Sequence, residues 1–167
     1  PFEAFMKRAL ELEPENTHGL KLLATANFKA KKYAEAATLY GQILPELPDD
    51  IEVILALGVC FHHLQDPATA ETCFKRALEI DPKLAVAAYG LGLALNAKGD
   101  LDGAIAAYRR ALEIDPKLAV AETNLGVALN AKGDLDEAIA AHRRALEIDP
   151  KDAVAENNLG AALEAKG

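Results

Sequence analysis

The sequence is poor in aromatic residues and in cysteine. Tryptophan is absent from its 167 residues, and aromatic residues make up 5% of them. Two cysteines, Cys60 and Cys73, are too few for a disulfide framework, so we expect reduced thiols and a cytoplasmic location. No apolar run approaches the roughly 18 residues that cross a membrane, and the sequence does not open on a signal-peptide pattern. We therefore expect no membrane partner.

Basic residues are also scarce relative to acidic ones. Lysine and arginine number 18 against 26 aspartates and glutamates, which gives a formal net charge of −8. A nucleic-acid surface is normally basic, so this balance predicts no nucleic-acid partner. No nucleophile–base set and no glycine-rich phosphate loop is found. The sequence therefore predicts no catalytic residue, no cofactor and no enzymatic activity of its own.

The chain contains a repeat of 34 residues. The stretch Ala85–Leu118 is followed by a near copy, Ala119–Asp152. The same spacing separates a series of prolines and a series of glycines: Pro14, Pro48, Pro82, Pro116 and Pro150, and Gly58, Gly92, Gly126 and Gly160. A fixed period of this length with two helical patterns per unit predicts a stacked helix-turn-helix array, in which each unit buries its apolar face against its neighbours.

The period also places the repeat boundaries within a single array over 1–167. Residues 1–16 are expected to be the second helix of an incomplete repeat, and residues 153–167 the first helix of another, as in a fragment of a longer chain. Four full repeats are expected between them: 17–50, 51–84, 85–118 and 119–152. In the first two, we predict helices at His18–Ala30, Tyr33–Leu44, Ile51–Leu64 and Pro67–Ile80.

Turn residues mark the helix ends. Pro45 should shorten the helix before it, and Asp66 should cap the helix that begins at Pro67. Gly99 and Gly133 are expected to adopt the left-handed conformation that ends a helix. Asp100 and Asp134 can then cap the helices that follow, with Asp134 and Glu137 at the spacing of a capping box.

These residues resemble the tetratricopeptide repeat. The shared features are a Leu-Gly pair on the first helix and an alanine followed by a large ring on the second: Leu57-Gly58, Leu91-Gly92, Leu125-Gly126 and Leu159-Gly160, Ala36, Ala70, Ala104 and Ala138, and Tyr40, Phe74 and Tyr108. Two positions depart from the pattern. His142 replaces the late ring, and the tryptophan position holds Leu20, Ile54, Ala88, Glu122 and Glu156.

The resemblance implies an all-α, right-handed superhelical solenoid of antiparallel helix pairs. It also implies a non-catalytic scaffold that binds a peptide or partner protein segment in a concave groove lined by the first helices. Carried over by repeat position, the groove residues are Lys21, Thr25, Phe28, Leu55, Val59, His62, Val86, Tyr89, Leu93, Asn96, Thr123, Asn124, Val127, Asn130, Asn157 and Asn158. Asn124 and Asn158 resemble the asparagine ladder of O-linked N-acetylglucosamine transferases, although simple helix-surface polarity explains them equally well.

Two alternatives to a free-standing scaffold stay open from the sequence. The chain can be the substrate-recruiting arm of a larger enzyme such as a glycosyltransferase, or an engineered or chimeric repeat protein without a native partner. We also expect end-to-end self-association through 153–165, where Val154, Leu159 and Leu163 lack a second helix to cover them.

Two further groups of residues have simple structural interpretations. Cys60, His62, His63 and Cys73 could suggest a metal site, but their spacing favours a buried Cys60 and two histidines at a solvated helix end. The chain has four basic pairs, Lys7-Arg8, Lys75-Arg76, Arg109-Arg110 and Arg143-Arg144, and an acid lies four residues after the first member of each. We expect ion pairs along the helix, from Lys7, Lys75, Arg109 and Arg143 to Glu11, Glu79, Glu113 and Glu147.

Overall fold

The computed structural model describes residues 16–167, and within this range the chain is all-α. The described residues form nine helices that pack as successive antiparallel pairs: α1 Thr17–Lys29, α2 Tyr33–Ile43, α3 Ile51–His63, α4 Pro67–Ile80, α5 Ala85–Ala97, α6 Leu101–Ile114, α7 Ala119–Lys132, α8 Leu135–Ile148 and α9 Ala153–Lys166. The helix expected within residues 1–16 lies outside the described range. The chain divides into two compact units, unit 1 (Pro1–Ile80) and unit 2 (Asp81–Gly167).

The 34-residue period is visible in the helix starts. The helices α3, α5, α7 and α9 begin at residues 51, 85, 119 and 153, and α4, α6 and α8 begin at 67, 101 and 135. The predicted helices of the first two repeats are confirmed to within one residue at each end. Helix α2 ends at Ile43, two residues before Pro45, because proline has no backbone N–H to continue the helical hydrogen bonds.

Residues with positive φ separate the two helices of each full repeat. Gly99 and Gly133 have φ of 80° and 91°, as predicted from the sequence. At the same repeat position in unit 1, Lys31 and Gln65 adopt φ of 59° and 60°. A side chain in this region clashes with its own backbone, so unit 1 stores strain in both turns that glycine relieves in unit 2.

Aspartate side chains cap four of the nine described helices: Asp50, Asp66, Asp100 and Asp152. The carboxylate of Asp66 accepts from the Thr69 backbone N–H at 3.1 Å, and that of Asp100 accepts from Gly103 at 2.9 Å. The capping box predicted at Asp134 is wrong, because the Asp134 side chain accepts no hydrogen bond from the first backbone N–H groups of α8. It lies 3.5 Å from the Lys132 ammonium instead, and Glu137 pairs with Arg109 of α6.

Three of the helix pairs close on a ring that packs against a glycine. In unit 1, a Cβ added at Gly58 would lie 2.8 Å from the Phe74 ring. In unit 2, Cβ atoms added at Gly92 and Gly126 would lie even closer to the rings of Tyr108 and His142. Any larger residue at these glycines would push the ring out of the core. The three rings are almost fully buried, so the packing role predicted for this position is confirmed for Phe74 and Tyr108, and His142 fills it as well.

Candidate functional site

Unit 2 brings two of the predicted groove residues into direct contact. The Asn124 amide on α7 donates to the Tyr89 hydroxyl on α5 at 3.1 Å and to the Val120 carbonyl at 2.8 Å. Both side chains are half-buried. The second bond stays within α7, whereas the first joins the first helices of two successive repeats. Both amide hydrogens of Asn124 are therefore used inside the protein.

A second polar contact connects α7 to α9. The Thr123 hydroxyl donates to the Asp152 carboxylate at 2.7 Å, and Asp152 caps α9 by accepting from Val154 and Ala155. The Thr123 hydrogen bond, together with the backbone donors, lowers the pKa of Asp152 below its usual value. Thr123 itself is buried and 5% exposed, so its hydroxyl fixes the start of α9 and does not face solvent.

Valines supply the apolar part of the first-helix surface of unit 2. Val86 and Val120 occupy equivalent places on α5 and α7 and are 57% and 48% exposed, and Val127 is also exposed. Leu93, Asn130 and Asn158 are half-buried beside them, while Asn96 and Asn157 are exposed. Of the predicted residues of this unit, Thr123 is therefore buried, and the others leave valine and amide side chains at least partly accessible.

The predicted residues of unit 1 are more highly charged. The Lys21 ammonium lies 2.8 Å from both the Asp50 and Glu52 carboxylates, and their hydrogen bonds raise its pKa. Thr25 donates to the Lys21 carbonyl at 2.8 Å and shares a hydrogen bond of 3.1 Å with the Tyr40 hydroxyl. Lys21 therefore has its charge balanced within the unit.

An aromatic cluster forms at the C-terminal ends of α1 and α3. Phe28 contacts Tyr33 edge-on, and Tyr33 stacks on His63 with ring centroids 4.1 Å apart. His62 packs against His63, and burial together with the neighbouring imidazole lowers the pKa of His62. His63 is exposed at the end of α3 as predicted, whereas the solvated position predicted for His62 is wrong, because this ring is half-buried with its Nδ1 out of contact with solvent. The sequence did not predict the stacking of His63 on Tyr33. Leu55 and Val59 are half-buried on the same helix.

The cysteine prediction is confirmed at Cys60. This side chain is fully buried in the core of unit 1, and burial raises the pKa of its thiol to about 11. Within residues 16–167, no group of three or more potential ligands is arranged to hold a metal ion. None of the helices in that range is both long enough and apolar enough to cross a membrane.

Two of the predicted ion-pair partners are wrong. Lys75 pairs with Glu71, one turn earlier on its own helix, at 2.6 Å, and Arg109 pairs with Glu137 on the neighbouring α8. The predicted acid Glu79 pairs with Arg76, and the pair predicted between Lys7 and Glu11 lies outside the described residues. Arg144 binds Glu122 of α7 through two hydrogen bonds of 2.8 Å and 3.0 Å. The two arginines reach across to another helix, where opposite charges lie closer than those one turn ahead on the same helix.

The Glu122–Arg144 pair borders a cleft that sequence reasoning missed. The cleft has a volume of about 350 Å³ and lies between α6, α7 and α8 of unit 2. The Glu122 side chain is only 8% exposed, whereas that of Arg144 is 49% exposed. The signal in the sequence was the acid at a position that holds Leu20 and Ile54 in the first two repeats.

Similar proteins of known sequence contain the same repeats. The chain is 32% identical over 88 residues to a protein described as probable UDP-N-acetylglucosamine–peptide N-acetylglucosaminyltransferase SPINDLY, from Hordeum vulgare. This match covers 53% of the chain and 9% of that relative, so the chain corresponds to a small part of the longer protein. The comparisons do not support an engineered or chimeric origin.

Solved structures show the same fold. The chain is similar to the MamA protein with a TM-score of 0.83 and 27% identity, over 92% of this chain and 84% of that one. It is also similar to YrrB, described as a tetratricopeptide repeat protein with an unusual peptide-binding site, with a TM-score of 0.81 and 26% identity over 98% and 81% of the two chains. Models of the tetratricopeptide repeat match residues 3–60, 50–117 and 83–151. The chain belongs to the tetratricopeptide repeat family, whose members generally mediate protein–protein interactions.

Proposed function

We propose that the chain is a non-catalytic module that binds an extended peptide or partner segment along the first helices of its repeats. The observation that carries this proposal is the contact between Tyr89 and Asn124. Asn124 donates both amide hydrogens within the protein and keeps its carbonyl oxygen as an acceptor. Tyr89 accepts from Asn124 and keeps its hydroxyl proton for a ligand.

A peptide backbone is complementary to this pair. Each peptide unit offers one N–H donor and one carbonyl acceptor, and the pair offers one acceptor and one donor. The exposed Val86, Val120 and Val127 provide shallow apolar contacts beside it. Main-chain hydrogen bonds with shallow side-chain contacts suit an extended segment of relaxed sequence specificity. The peptide-binding site described for YrrB, which shares this fold, supports the same ligand class.

Unit 1 offers its own contacts for such a ligand. The two carboxylates of Asp50 and Glu52 outnumber the single ammonium of Lys21 between them, so this surface is slightly negative and suits a neutral or basic segment. Phe28 and His62 add half-buried rings, and Leu55 and Val59 add apolar contacts.

The first test is a pull-down on the immobilised chain with matched tyrosine variants. Tyr89→Phe combined with Asn124→Ala removes the donor and the acceptor while the ring at position 89 stays in place. Tyr108→Phe is the control, because it deletes a hydroxyl that is buried in the core and out of reach of a ligand. A partner held by wild type and by Tyr108→Phe, but lost by the double variant at unchanged helicity, supports the proposal. Equal binding to all three forms contradicts it.

A second candidate function is a substrate-recruiting arm of a larger enzyme. The observation that favours it is the similarity to a protein described as a peptide N-acetylglucosaminyltransferase, in which the matched region is a small part of the whole. The sequence of the gene that continues beyond Gly167 tests this candidate. A transferase domain in the continuation supports it, and a polar helix that closes the array opposes it.

We also propose self-association through α9. Val154 is 59% exposed and Leu163 is 44% exposed on this helix. The α9 helices of two chains can cover each other's apolar side chains, so the proposed partner of segment 153–165 is the same segment of a second copy of the chain.

A further inference from the structure

The cleft of unit 2 lies on a different surface from the proposed peptide-binding residues. Its walls come from α6, α7 and α8, and none of the lining residues belongs to the first-helix set predicted from the sequence. Three leucines form its apolar floor: Leu112, Leu125 and Leu129. Leu125 and Leu129 are otherwise buried core residues, so an occupant of the cleft would extend the core of the unit.

The edge of the cleft is charged at position 122. The equivalent residues of the first two repeats, Leu20 and Ile54, are apolar and buried. In the fourth repeat a glutamate takes this place, and its carboxylate accepts two hydrogen bonds from Arg144. Leu125 and Leu129 are 3% and 2% exposed, so the half-buried Leu112 supplies the accessible leucine surface of the cleft.

The charges around the cleft favour a cation. Both arginines of the rim are neutralised, Arg109 by Glu137 and Arg144 by Glu122. Glu113 also lines the cleft and forms no ion pair with any residue in the described part of the chain. An anion would have to displace a glutamate from an arginine, whereas a cation finds Glu113 ready to pair.

We propose that this cleft is a second binding site, for a partner peptide that presents an apolar side chain next to a lysine or arginine. The apolar side chain packs on Leu112, the accessible leucine of the cleft, and the basic group pairs with Glu113. The volume of about 350 Å³ is at the lower end of the range of ligand sites, which fits one or two side chains and not a whole helix. The proposal is independent of the peptide-binding role of the first helices.

The test is selection of short random peptides displayed on phage against the full chain, followed by titration of the enriched peptides by fluorescence anisotropy. Three variants alter the cleft: Ala140→Phe fills it from α8, Glu113→Gln removes the unpaired charge, and Glu113→Lys reverses it. Glu147→Lys is the matched control, since Glu147 is the exposed residue one repeat further along and does not line the cleft. Helicity of every variant is checked by circular dichroism.

We expect enriched peptides with an apolar residue beside a basic one. Ala140→Phe should abolish their binding, and Glu113→Gln should weaken it about two- to five-fold, as for loss of one exposed ion pair. Glu113→Lys should weaken it further, while Glu147→Lys and the Tyr89→Phe/Asn124→Ala variant should bind as wild type does. The proposal is overturned if no such peptide is enriched, if enriched peptides are acidic, or if they bind the folded Ala140→Phe variant undiminished. Loss of binding only in the first-helix variant would assign the peptides to the other surface.

Discussion

The buried histidine of the fourth repeat gives the most direct test of the packing argument. His142 is fully buried against Gly126, and neither ring nitrogen has a hydrogen-bond partner among the described residues. Phe74 occupies the equivalent position over Gly58, which shows that a phenyl ring fits this place in the repeat. His142→Phe should therefore keep the ring contact and remove two unpaired polar atoms.

The size of the effect follows from the cost of burying an unpaired polar group, about 1–3 kcal/mol in protein mutational data. We expect His142→Phe to raise the free energy of unfolding by about that amount near pH 7. Urea unfolding followed by far-ultraviolet circular dichroism measures it. Tyr108→Phe tests the same cost at a second place: its hydroxyl is also buried without a partner in residues 16–167, so the variant should be stabilised by a similar amount.

The pH dependence of the free energy of unfolding separates the effect of the His142 charge from the effect of ring packing. Burial lowers the pKa of His142, and the Asp152 carboxylate only partly opposes this shift. The unfolded chain therefore takes up the proton first, so stability is full above the unfolded pKa of about 6.5 and falls as the pH drops below it. His142→Phe should remove up to about 1.4 kcal/mol per pH unit of this slope. His62 contributes a slope of the same sign, which the variant leaves in place.

Two results would refute the reasoning. A His142→Phe protein less stable than wild type near pH 7 would mean that the histidine nitrogens are satisfied or that the phenyl ring does not fit. Identical acid dependence in both proteins between about pH 7 and pH 5 would mean that His142 does not titrate with a lowered pKa. Tyr108→Phe should keep the wild-type slope, because it changes no group that ionises in this range.

Three further predictions concern turns, charges and association. Gln65→Gly should stabilise unit 1 by about 0.5–1 kcal/mol by relieving the positive φ, with Gln65→Ala as a control that keeps the strain; thermal unfolding measures both. Glu122→Ala should lower the free energy of unfolding by about 1–3 kcal/mol, because it leaves Arg144 without its partner. The double variant Glu122→Leu/Arg144→Leu should be as stable as wild type or more stable in urea unfolding. An equal loss of stability in both variants would contradict this. Leu163→Glu should weaken self-association in light scattering, and a wild-type chain that stays monomeric at high concentration would rule it out.

The helices and their turns were predictable from the sequence because their causes are local. Pro45, Asp66 and Gly99 act within a few residues of their own position, and each behaves as its type requires. The strained turns at Lys31 and Gln65 were missed, because nothing in those side chains indicates a positive φ. The 34-residue phase was the signal, since it aligns both residues with the glycines.

The contacts between helices were less predictable. The missing cap at Asp134 and the pairing of Arg109 with Glu137 depend on which opposite charge lies nearest on a neighbouring helix. The spacing of charges within one helix carries no such information. The bond between Tyr89 and Asn124 is of the same kind, as the two residues are 35 positions apart.

The ring-on-glycine contact has a consequence for how such a chain can change. Gly126 and His142 belong to one 34-residue repeat, as do Gly92 and Tyr108, so copying a repeat copies both partners of its ring contact. The bond from Asn124 to Tyr89 instead joins two repeats and exists only where one particular repeat follows the other. Shuffling or duplicating repeats would therefore preserve the packing within each repeat while creating or erasing hydrogen bonds between first helices at each new junction.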